Sequence, residues 1–85
     1  MINYRSATDT LRKAGFALTN TCNMDGELYH DFNSRKKDAS ISLVLDGMSG
    51  SVKWAEITTR KWENGRYVPV NKKIYALQDL IDLLK

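Results

Sequence analysis

Residues 52–74 read VKWAEITTRKWENGRYVPVNKKI, and the Asn64-Gly65 pair inside this stretch organises everything around it. A two-residue hairpin loop needs positive φ at both positions, which Asn and Gly tolerate best. A turn there predicts strands over 52–62 and 66–74. The register then sets Glu63 opposite Arg66, Trp62 opposite Tyr67, Lys61 opposite Val68 and Thr59 opposite Val70. Since side chains alternate along a strand, Ile57, Val68, Val70 and Ile74 share one face, expected to be buried. Trp54, Arg60, Trp62, Tyr67 and Lys73 share the other. Pro69 has no amide for a ladder, so its strand is expected at a sheet edge or to break there.

A second hairpin reads upstream. Phe16 and Leu18 alternate with Ala17 and Thr19. Leu28, His30 and Phe32 alternate with Glu27, Tyr29 and Asp31, and Asp25-Gly26 joins the two runs as a tight turn. Ala39, Ile41, Leu43 and Leu45 alternate with Ser40, Ser42 and Val44, the pattern of a half-buried strand. A polar, basic loop at 33–38 precedes this run, and a loop with Gly47 and Gly50 at 46–51, expected to be a flexible connector, follows it.

Helical periodicity marks the two ends. Tyr4, Ala7, Leu11 and Ala14 form one stripe, predicting a helix over 7–14 with Ser6 and Asp9 serving its first turn and Gly15 closing it. Leu77, Leu80, Ile81 and Leu84 follow the i, i+3, i+4, i+7 rule and predict a helix over 76–84. The expected fold class is therefore α+β. A single domain over 1–85 holds an N-terminal helix, a four- to five-stranded antiparallel sheet with two hairpins, and a C-terminal helix packed on one sheet face.

Composition narrows the function classes. A chain of 85 residues has surface for one core and little more. No apolar run approaches the roughly 18 residues of a membrane span, and residues 1–6 carry no signal-peptide stretch. Cys22 is the only cysteine, so no internal disulfide forms and a reducing cytoplasm is the expected compartment. The net charge of +3 is mild, but five cations against one anion lie between Arg60 and Lys73, and Arg35, Lys36 and Lys37 form a second cluster. Such fields attract anionic partners.

Catalytic and cofactor chemistry has no foothold in the residue types. His30 is the only histidine and alternates onto the apolar side of its strand, where a hydrogen-bonded structural role is expected. Cys22 has neither a base nor an orienting third group in its sequence neighbourhood. One Cys and one His fall short of a zinc site, and Asp25, Glu27 and Asp31 do not follow a calcium-loop pattern. Phosphate-cradling glycine motifs do not occur. The expectation is a protein that is not an enzyme and takes no metal or cofactor.

The second hairpin holds the surface of interest. Trp54, Arg60, Trp62, Arg66, Tyr67 and Lys73, with Arg35, Lys36 and Lys37 from the basic loop, are the candidate binding residues. Aromatic faces stack on bases and cations neutralise phosphates, so the first expectation is a non-catalytic nucleic-acid-binding module. The alternative is a small regulator or inhibitor, of the compact kind that phages and mobile elements encode, docking a larger acidic protein through the same hairpin. Trp, Tyr and Arg also dominate protein hot spots. A third expectation is a homodimer closed by the exposed aromatic face.

Overall fold

The turns come first. Asp25 and Gly26, at φ 52° and 80°, and Asn64 and Gly65, at φ 51° and 79°, all lie in the left-handed region, the conformation that two-residue hairpin loops demand. A computed structural model describes residues 2–34, 36 and 39–84. Around the two turns it arranges α1 (Tyr4–Lys13), β1 (Ala17–Met24), β2 (Glu27–Asn33), β3 (Ala39–Asp46), β4 (Val52–Glu63), β5 (Arg66–Ile74) and α2 (Leu77–Leu84). The strands form one antiparallel sheet in the order β1-β2-β3-β4-β5, each beside its sequence neighbour. The expected fold class holds, with five strands.

The register predicted for the second hairpin is the one observed. Glu63 pairs with Arg66, Trp62 with Tyr67, Lys61 with Val68, Arg60 with Pro69 and Thr59 with Val70. Residues flanking a two-residue loop exchange both hydrogen bonds, and pairs then alternate. Pro69 therefore falls at a position whose nitrogen points away from β4. It sits on β5, an edge strand, where its missing amide disturbs no ladder.

The core lies on one face of the sheet. Phe32, Ile41, Leu43, Leu45, Ala55, Ile57 and Ile74 meet Ala7 and Leu11 of α1, Leu80 of α2, and Ile2 and Phe16. Each of these side chains is almost wholly removed from water, contributing about 1.5–3 kcal/mol for each large aliphatic or aromatic group. Ile2 bridges to Val52, which ties the segment before α1 to the start of β4. His30 points to this side as well, its Nδ1 2.9 Å from the Tyr4 hydroxyl with the two rings edge to face.

Three expectations need correction. The first helix starts at Tyr4, a turn before residue 7, because the Asn3 side chain accepts the Ser6 amide at 3.1 Å and caps it. Ser6 and Asp9 lie inside the helix, and the Gly15 closure at φ 93° is as expected. In α2 only Leu80 is fully buried, while Leu77 and Leu84 pack at the margin of the core and Ile81 is half-buried. On β5, Val70 is 42% exposed and Val68 half-buried, so the face expected to be covered is covered only around Ile57 and Ile74.

Strand length explains the uncovered part. The last β3–β4 pair is Ala39 with Thr59, whereas β4 runs on to Glu63 and returns as β5. Residues 60–69 therefore stand past the end of β3 as a two-stranded arm, projecting about 14 Å for its four residues per strand.

The connection after β3 is well tied. Gly47 donates its amide to the Gly26 carbonyl at 2.9 Å, docking this loop on the first hairpin turn. The Asp46 carboxylate accepts from the Met48 amide at 3.0 Å and from the Ser49 hydroxyl at 3.2 Å. Those bonds hold its pKa below the usual value, the Met48 amide contributing most, while partial desolvation opposes them.

Candidate functional site

Alternation distributes the candidate residues over two faces of the hairpin. Trp54, Arg60 and Trp62 of β4 lie with Tyr67 and Lys73 of β5 on the face opposite the helices, as the register requires. Arg66 does not join them. It pairs with Glu63 and shares the helix side of the ribbon with Lys61, Val68 and Val70, because its position differs from those of Tyr67 and Lys73 by an odd number.

Trp62 and Tyr67 form the aromatic centre of the arm. They stand opposite each other at a non-hydrogen-bonded pair, where cross-strand side chains come closest. Their ring centroids are 4.9 Å apart at 74°, edge to face. Their exposures are 61% and 63%, so neither indole nor phenol is sheltered by the helices. Arg60 and Lys61 on β4 and Arg66 on β5 are exposed along the same arm.

Trp54 is different. It is half-buried at the far end of the same face, against fully buried Val44, its register partner, with Tyr29 beyond. Tyr75 tilts onto it at 6.5 Å, and the Lys73 ammonium sits 4.7 Å above its ring. Its Nε1 is buried and meets no acceptor among the described residues. Trp54 and Lys73 thus belong to a small apolar cluster on the open face, separated from the arm by the polar pair Thr58 and Asn71, whose side chains bond at 2.8 Å.

The charge pattern of the open face also departs from expectation. Only aromatic and basic residues were expected there, yet Glu27 and Asp31 of β2 and Glu56 of β4 share this face. Asp31 accepts from Ser42 at 2.6 Å. Glu27 accepts from Lys53 at 3.0 Å, and that hydrogen bond, followed by the charge itself, raises the pKa of the Lys53 ammonium. The arm itself carries Arg60, Lys61 and Arg66 against Glu63.

Asn33, Ser34, Arg60 and Pro69 line one shallow groove at the foot of the arm. Lys36 is exposed, its amide bonded to the Ser34 hydroxyl at 3.2 Å. Arg35 and Lys37 lie outside the described residues. The Val44–Trp54–Tyr75 cluster and the acidic side chains escaped the sequence reading. Counting Glu56, Asp31 and Glu27 by parity with Trp54 and Tyr29 was the signal that would have found the latter.

No cluster of three or more metal-ligating side chains occurs among the described residues, and no helix among them is long and apolar enough to cross a membrane. Fold and site together define a small single-domain α+β protein, an antiparallel five-strand meander backed on one side by two helices and extended by an exposed aromatic arm. In comparisons with known proteins, no family model, no curated protein and no solved structure matches the chain.

Proposed function

We propose that the chain is a non-catalytic nucleic-acid-binding module that takes unpaired bases on the β4–β5 arm. The observation that carries this reading is the pair Trp62 and Tyr67, 61% and 63% exposed, on a ribbon whose charged side chains are Arg60, Lys61 and Arg66 against Glu63. A base stacked on such a ring contributes about 1–3 kcal/mol whatever its identity. Three cations allow about three phosphate contacts. Trp54 and Lys73 support the sheet in this reading and stay out of the contact.

The test is a titration of a fluorescently labelled single-stranded oligonucleotide. Three phosphate contacts to a single strand give a log–log salt slope of about −2, hence roughly a 20-fold loss of affinity between about 50 and 200 mM salt. The double variant Trp62→Ala/Arg60→Ala is expected to bind at least about tenfold more weakly. An oligonucleotide that fails to bind at the lower salt sinks the reading.

A second reading rests on the acidic remainder of the open face, which disfavours a long polyanion and leaves the arm as a compact anchor. In it the arm docks an acidic or apolar patch of a larger protein, Trp62, Tyr67 and Arg60 acting as the hot spot. A partner captured after nuclease treatment by the wild type and lost by the double variant, without oligonucleotide binding, selects that reading.

A further inference from the structure

The two edges of the sheet are unlike each other. On β5 the outward row of backbone groups is interrupted by Pro69, and the strand carries Arg66, Lys72 and Lys73, devices that discourage a further strand. On β1, ALTNTCNM, no residue is charged, no proline occurs and every residue is exposed. The two-residue turn makes Met24 and Glu27 a hydrogen-bonded pair, so Cys22, opposite Tyr29, and Asn20, opposite Asp31, also bond to β2. Asn23 and Thr21 alternate with them and direct their amides and carbonyls outward.

The regular part of this edge is short and symmetric. It begins after the irregularity between Leu18 and Asn20 and ends at Met24, where the turn starts. Its midpoint is Cys22. An antiparallel copy of the same strand can use the whole run in one register only, with Cys22 opposite Cys22, Thr21 opposite Asn23, and Asn20 opposite Met24. That register turns both outward residues of each copy toward those of the other, giving four backbone hydrogen bonds about a two-fold axis. It opposes no like charges, because the run has none. Met24, 51% exposed, gains cover against Asn20 of the other copy.

We infer that a second copy of this chain adds to the β1 edge in this register and joins the two sheets into one of ten strands. The contact is independent of the β4–β5 arm, which lies at the opposite edge. Five residue pairs make a small interface, so association belongs to the weak class, with dimer forming between about 10 µM and 1 mM chain.

Solution mass as a function of concentration, under reducing conditions, is the first measurement. The wild type is expected to move toward twice the chain mass over that range. Cys22→Lys, which opposes two ammonium groups on the axis, is expected to stay monomeric with an unchanged far-ultraviolet circular dichroism spectrum. Thr21→Pro removes one outward amide without touching the bonds to β2 and is expected to behave alike. A short bifunctional thiol reagent should link Cys22 to Cys22, whose Cα atoms lie about 4.5 Å apart in such a pair. It should leave Cys22→Ser/Met24→Cys unlinked, since those positions are about 14 Å apart. A monomer at 1 mM, a Cys22→Lys variant that dimerises like the wild type, or equal linking of the two thiol positions overturns the inference.

Discussion

Gly47 has no unusual φ, yet it is the glycine least open to change. A Cβ built there runs into the Gly26 carbonyl, which is backbone and also accepts the Gly47 amide. Gly65 is the converse, with open space around a Cβ but φ at 79°. Gly47→Ala is expected to cost about 1–3 kcal/mol through overpacking and Gly65→Ala about 1–2 kcal/mol through backbone strain, both read from urea midpoints. In the Gly47 variant the docking of the β3–β4 loop on the first turn should also loosen, seen as faster hydrogen exchange at residue 47. Trp54 offers a second residue-level test. Its indole N–H, buried without an acceptor among the described residues, carries a desolvation penalty of about 1–3 kcal/mol, so Trp54→Phe, which removes that group along with some packing, is expected to stay within about 1 kcal/mol of the wild type.

Among the elements, a buried residue of α2 and an exposed one of the arm differ in what their loss costs. Leu80 is fully buried between sheet and helices, and Leu80→Ala is expected to cost about 2–5 kcal/mol. Trp62→Ala is expected to cost under about 1 kcal/mol, the worth of an exposed cross-strand aromatic pair, while weakening oligonucleotide binding several-fold. Thermal unfolding of the two variants side by side separates them. Hairpins, register and the edge position of Pro69 were legible in the sequence, because turn chemistry and alternation are local. The extent of cover was not. An eight-residue helix such as α2 spans about 12 Å and twelve-residue β4 about 40 Å, so the helices run out before the arm does. Val68 and Val70 carry a buried pattern where the cover is only partial. The start of α1 was missed for a related reason: Asn3 and Ser6 are both competent caps, and burial of Ile2 decides between them. Of the candidate site, Arg60, Trp62 and Tyr67 were legible by parity, while the detachment of Trp54 and Lys73 depended on Tyr75, whose position follows from where β5 ends.

For the whole molecule, the resolved titrations predict the shape of stability against pH. Asp46 has its pKa lowered from 3.8, so its contribution is complete above that value and is lost as the pH falls through the folded-state value. Lys53 has its pKa raised from 10.5, so its contribution is complete below that value and is lost as the pH rises through the folded-state value. The unfolding temperature should therefore lie on a plateau between about pH 5 and 9 and fall on both sides. Asp46→Ala is expected to lower the plateau and flatten the acid limb. Glu27→Gln, which removes the partner of Lys53, should flatten the alkaline one.

The lone proline has a consequence beyond its own strand. Filament growth by sheet stacking demands two competent rims per subunit, one to receive and one to offer. Pro69, with the cations beside it, leaves β1 as the single competent rim, so the edge addition inferred above would end at two copies. Pro69→Thr in a background with Lys72 and Lys73 neutralised should restore the second rim and turn a clear solution turbid on standing.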